Sequence, residues 1–91
     1  MTEQPATSRT LVLYGAPDCH LCHDAIATLR RVQRLVSFDI VEVNIRDHPE
    51  LTERFGLVIP VVEVGGKVIA QSKVTEFRLL RHLYAILGSN R

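Results

Sequence analysis

Residues 10–22 read TLVLYGAPDCHLC. Thr10–Tyr14 is a short apolar run closed by Gly15-Ala16-Pro17-Asp18. Its length and the turn residues behind it predict a buried strand. From Cys19 the period changes. Ala25, Leu29, Val32 and Val36 recur at steps of four, three and four, which is one face of a helix. Arg30, Arg31 and Arg34 carry the opposite, solvated face. Asp18 stands where an N-cap would accept a hydrogen bond from a free helix N–H. The first helix is therefore predicted over Cys19–Val36, broken at Ser37. Two cysteines three positions apart sit at the junction of a strand and a helix.

Outward from this junction, Phe38–Ile45 is rich in β-branched residues and reads as a second strand. Asp47-His48-Pro49-Glu50 is a helix start, with Asp47 as cap candidate, an early proline and a first-turn glutamate. Leu51 and Phe55 then lie one turn apart, and Gly56 ends that short helix. Pro60–Val64 and Lys67–Gln71 flank Gly65-Gly66, a hairpin signal. Pro60 has no N–H for a ladder and so opens its strand. Val74, Phe77, Leu80, Tyr84 and Leu87 mark a last helix, closed by Gly88, with that stripe facing the core. The order is β-α-β-α-β-β-α. A βαβ unit followed by a hairpin implies one mixed four-stranded sheet with three helices on its faces, an α/β fold. Residues 10–88 form the single expected domain, between a flexible tail at 1–9 and a C-terminal tail at 89–91.

The bulk numbers exclude several classes. A chain of 91 residues suits one small domain. A composition 46% hydrophobic and 23% charged argues against disorder. The net charge of +1 gives no field for nucleic acid. No apolar run reaches the roughly 18 residues of a membrane span. The first nine residues are polar and lack the apolar middle of a signal peptide, so a cytoplasmic location is expected. In that compartment Cys19 and Cys22 would be held mostly reduced, which speaks against a static staple.

The spacing of Cys19-His20-Leu21-Cys22 has a chemical reason. Helical residues i and i+3 stand roughly 5–6 Å apart at Cβ, whereas a disulfide wants about 3.8 Å. Placing Cys19 at the non-helical start closes that gap. It also aims helix N–H groups and the positive dipole end at its sulfur, which favours a thiolate. Cys19 is then the nucleophile and Cys22, a turn deeper, the resolving thiol. His20 and His23 are candidates for tuning that thiolate, and Asp18 opposes it by charge.

These residues resemble the thioredoxin-fold superfamily, and most closely its small glutaredoxin-like proteins, from Leu11 to Leu87. The resemblance rests on the Cys-x-x-Cys after the first strand and on Val58-Ile59-Pro60 before the third. It implies a thioredoxin-like fold of glutaredoxin type and dithiol oxidoreductase activity. It further implies a cis proline at Pro60 beside the dithiol, with the Ile59 backbone pairing with substrate. The chain departs from the usual pattern in three places. His-Leu stands where Pro-Tyr is common between the cysteines. Ala16 stands where a lysine is common. Ala70–Lys73 lacks the Gly-Gly-Asp-like signature that clamps the glutathione carboxylate. The expected partners are accordingly a disulfide-containing protein substrate and an unidentified reductant, with glutathione weak at best. No cofactor, nucleic acid or membrane is expected, and the chain is read as a monomer.

Two other readings use the same cysteines. Cys19–His23 matches the C-x-x-C-H of haem attachment, but no exported context accompanies it. A metal or iron–sulfur module would draw on Cys19, Cys22 and His23, with His48 or His82 as distant surface ligands at helix ends.

Overall fold

The structure, a computed structural model, describes residues 10–88, with side chains through Ala85. The expected tails at 1–9 and 89–91 lie outside the described residues. The strands are β1 (Thr10–Gly15), β2 (Asp39–Asn44), β3 (Val61–Val64) and β4 (Lys67–Gln71). The helices are α1 (His20–Val32), α2 (Pro49–Phe55) and α3 (Glu76–Gly88). A single 3-10 turn at Ile45–Asp47 links β2 to α2. The sheet order is β2-β1-β3-β4. β1 pairs parallel with β2, from Thr10 opposite Asp39 to Gly15 opposite Asn44. It pairs antiparallel with β3, Leu11 opposite Val64 and Leu13 opposite Val62. The α/β thioredoxin-like order read from the sequence is the observed one.

Alternation along β1 sorts the two faces. Leu11 and Leu13 are buried with Val62 and Val64 under α1 and α3, in one cluster with Ala25, Leu29, Val32, Leu79 and Leu83. Tyr14 points the other way. Its ring lies 4.9 Å from that of Phe55 on α2, and its hydroxyl donates to Glu63 Oε1 at 2.8 Å. The β3–β4 hairpin carries a bulge. Val62 is opposite Ala70 and Glu63 is opposite Val68, so Ile69 is the extra residue. A bulge turns two consecutive side chains toward one side, and Ile69 and Ala70 are both buried. Gly65 and Gly66 hold φ of 57° and 82° at the tip, values that cost an L side chain dearly.

Four expectations need correction. α1 stops at Val32 because the next turn tightens to three-residue spacing: Arg34 N–H donates to Arg31 O and Leu35 N–H to Val32 O. Val36 still reaches the core. The N-cap of α1 is Cys19, not Asp18. The N-cap of α2 is His48, not Asp47, and its side chain makes no capping bond. The buried face of α3 is Leu79 and Leu83, whereas Phe77 and Tyr84 are 76% and 56% exposed. The arginine face of α1 is exposed as expected, though not idle: Arg30 lies 3.8 Å from Glu42 and Arg31 pairs with Glu76 of α3. Among the described residues, no helix is long and apolar enough to cross a membrane.

Candidate functional site

The end of β1 and the start of α1 build the site. The turn closes when Cys19 N–H donates to Ala16 O at 3.2 Å. Cys19 takes an extended conformation as N-cap, and its Sγ accepts from Cys22 N–H at 3.1 Å. Cys22 N–H and His23 N–H also reach Cys19 O, at 3.1 and 3.2 Å. Cys19 and Cys22 are joined as a disulfide, with Cα atoms 5.2 Å apart. The two cysteines differ in exposure. Cys19 is half-buried, whereas Cys22 is 5% exposed. An N–H directed at a cysteine sulfur from a helix start favours a thiolate over a thiol.

Beneath the pair lies Gly15. A Cβ added there would stand 3.0 Å from Cys22 Sγ, so only glycine leaves the buried sulfur its place.

Asp18, the residue before the nucleophile candidate, is held by Arg46. The guanidinium reaches Oδ1 at 2.7 and 3.1 Å and Oδ2 at 3.0 Å. Arg46 holds the Asp18 carboxyl below the usual carboxylate range, chiefly by these bonds. The negative charge that the sequence sets against a Cys19 thiolate is thereby offset by a cation from the turn after β2. His20 is solvated, with Nε2 3.7 Å from Asp24. His23 folds back, its Nε2 2.9 Å from Pro17 O.

The loop before β3 turns through a cis Ile59–Pro60 bond and leads into Val61, opposite Tyr14 of β1. Pro60 is buried and Ile59 is half-buried. This loop is pinned by Ser72, whose N–H donates to Val58 O at 3.0 Å and Pro60 O at 2.8 Å. Ser72 takes a φ of 66° to do so. Gly15, Arg46 and Ser72 were not singled out as site residues in the sequence. The turn cluster after β1 is a signal for Gly15; nothing in a single sequence connects Arg46 to a residue 28 positions earlier.

Among the described residues, no group of three or more His, Cys, Asp or Glu side chains is gathered to hold a metal ion. His48 is exposed at the start of α2, and His82 sits half-buried in the middle of α3 rather than at its end.

A family model, the glutaredoxin-like domain (DUF836), matches residues 10–84. The X-ray structure of target protein XcR50 from X. campestris is 30% identical with a TM-score of 0.73, over 82% of this chain and 96% of that one. The solution structure of protein Ne2328 from Nitrosomonas europaea is 30% identical with a TM-score of 0.72, over 90% and 98%. Thioredoxin 1 from Thermosipho africanus, at 13% identity, has a TM-score of 0.57 over 90% and 99% and shows the fold alone. None of the curated proteins matches the chain.

Proposed function

The chain belongs to the glutaredoxin-like domain family, and we propose that it is a dithiol thiol-disulfide oxidoreductase using Cys19 and Cys22. The carrying observation is the asymmetry of the pair. One cysteine is half-buried at a helix N-cap with an N–H aimed at its sulfur, and the other is buried within bonding reach. The Cys19 thiolate attacks a substrate disulfide. One substrate sulfur leaves as a thiolate and a mixed disulfide forms on Cys19. Cys22, as thiolate, then attacks Cys19 Sγ and the second substrate sulfur leaves. Substrate gains two electrons and the protein is left as the Cys19–Cys22 disulfide; an external dithiol of unidentified identity restores it. Ile59 is the backbone contact for substrate and Pro60 holds it in place. Cytoplasmic action, where the reduced pair is maintained, belongs to this reading.

The glutathione site is the weak part of the family pattern here. Ala16 is buried and uncharged, and Arg46 is taken up by Asp18. Each missing charge-assisted contact is worth about 1.5–3 kcal/mol, so two weaken glutathione by orders of magnitude. Turnover with a dithiol reductant is expected to be clear, and turnover with glutathione poor. Mass spectrometry of single variants tests the roles. Cys22→Ser incubated with a disulfide should accumulate the adduct on Cys19, while Cys19→Ser should accumulate none. Adduct on Cys22 in place of Cys19 reverses the assignment. Micromolar binding of glutathione to Cys22→Ser by calorimetry sinks the glutathione part alone.

A further inference from the structure

The second step of dithiol exchange asks more of the protein than the first. Cys22 is 5% exposed, and burial in apolar surroundings makes a thiol hold its proton. That proton must leave as Cys22 attacks. An opening reaches it: a pocket of about 240 Å³ between the start of α1 and the end of β2, lined in part by Cys22, His23, Glu42 and Asn44. That volume holds several waters. Two of these lining groups can take up a proton, His23 from α1 and Glu42 from β2. Glu42 is turned toward Arg30, 3.8 Å away. Asn44 Oδ1 accepts from Arg46 N–H and does not titrate. Nearby, Asp18 is paired with Arg46, and Asp24 lies 3.7 Å from His20 Nε2.

His23 is set up differently. Its Nε2 faces the Pro17 carbonyl oxygen at 2.9 Å. A carbonyl only accepts, so Nε2 carries the hydrogen in the neutral ring and the Nδ1 lone pair is free. The bond fixes the tautomer that a base requires.

Resting on the dithiol reading above, we infer that His23 is the acid–base residue for Cys22, taking its proton through water in this pocket during resolution of the mixed disulfide. The Cys22 proton passes to His23 Nδ1, the Cys22 thiolate bonds to Cys19 Sγ, and the Cys19–substrate bond breaks. The electron pair goes to the leaving substrate thiolate, and in the reverse reaction the imidazolium returns the proton to Cys22.

The test is stopped-flow reaction of the reduced full-length chain with a chromogenic aryl disulfide, whose two thiolates are released in turn. The first release reports Cys19 attack and the second reports resolution by Cys22. In the wild type the second rate should rise through an inflection between about pH 5 and 8, where imidazoles titrate. In His23→Gln it should fall at least tenfold at about pH 7 and lose that inflection, within the usual scale of general-base effects. Glu42→Gln should keep both rate and inflection. Thermal melts of each oxidised variant separate a folding defect from a chemical one. An unchanged second phase in His23→Gln overturns the inference, as does loss of the inflection in Glu42→Gln instead. Absence of the first phase in the wild type overturns the dithiol reading itself, and this inference with it.

Discussion

Three residues around the dithiol carry constraints of quite different kinds. Gly15 is a matter of space. With Cys22 Sγ 3.0 Å from where a Cβ would stand, Gly15→Ala overpacks the site, and overpacking costs about 1–3 kcal/mol. The oxidised variant should melt lower than the wild type, and disulfide closure after reduction should slow; melting at the wild-type temperature would show that the sulfur gives way freely. Ser72 is a matter of backbone. At φ 66° a β-branched side chain is worse placed than serine, so Ser72→Val should cost about 1–2 kcal/mol in denaturant titration, and Ser72→Gly should not. Arg46 is a matter of charge. A depressed Asp18 carboxyl stabilises the fold above its unfolded titration near pH 3.9, and that contribution is lost as pH falls through the folded value. Arg46→Gln should therefore flatten the acid limb of stability. It should also slow alkylation of Cys19 at neutral pH, because the Asp18 charge then stands unopposed beside the thiolate.

Elements were legible wherever one face of the chain is alone apolar. α1 has a single narrow stripe, so its inward face was legible, although the unbroken apolar run of β1 marks only a buried strand and no face. α3 was not, and the reason is in its composition. Phe77, Leu79, Leu80, Leu83 and Tyr84 spread apolar side chains over nearly half its circumference, and two overlapping stripes fit the same period. The sheet decides between them by what it can receive, and it receives Leu79 and Leu83. Leu79→Ala is expected to cost about 2–5 kcal/mol, while Phe77→Ala should stay within about 0.5 kcal/mol; equal losses by chemical denaturation would restore the original face. The dithiol was legible because its elements are contiguous in sequence. The Arg46 and Ser72 contacts were not, since each depends on distant strands arriving in register, and serine gives no advance notice of a positive φ.

At the scale of the molecule, the two faces of the sheet answer to different conditions. The α1–α3 face is sealed and apolar. The α2 face carries Tyr14, whose pKa is raised by burial and then by its bond to Glu63. A raised value means the native state keeps a proton that the unfolded chain loses, so stability falls as pH rises beyond about 10. Melts at increasing alkaline pH should show a loss in the wild type that Tyr14→Phe lacks, set against a lower starting stability of about 1 kcal/mol from the missing hydrogen bond. The two edges of the sheet, β2 and β4, flank a centre made of β1 and β3. The first strand along the chain is thus an inner one. Leu11 meets Ile40 on one side and Val64 on the other, so β1 stays half-paired until β3 has been made. A ribosome therefore holds an unfinished sheet for most of the time it spends on this domain. Cys19 and Cys22 leave the ribosome before the strand behind them has both its neighbours.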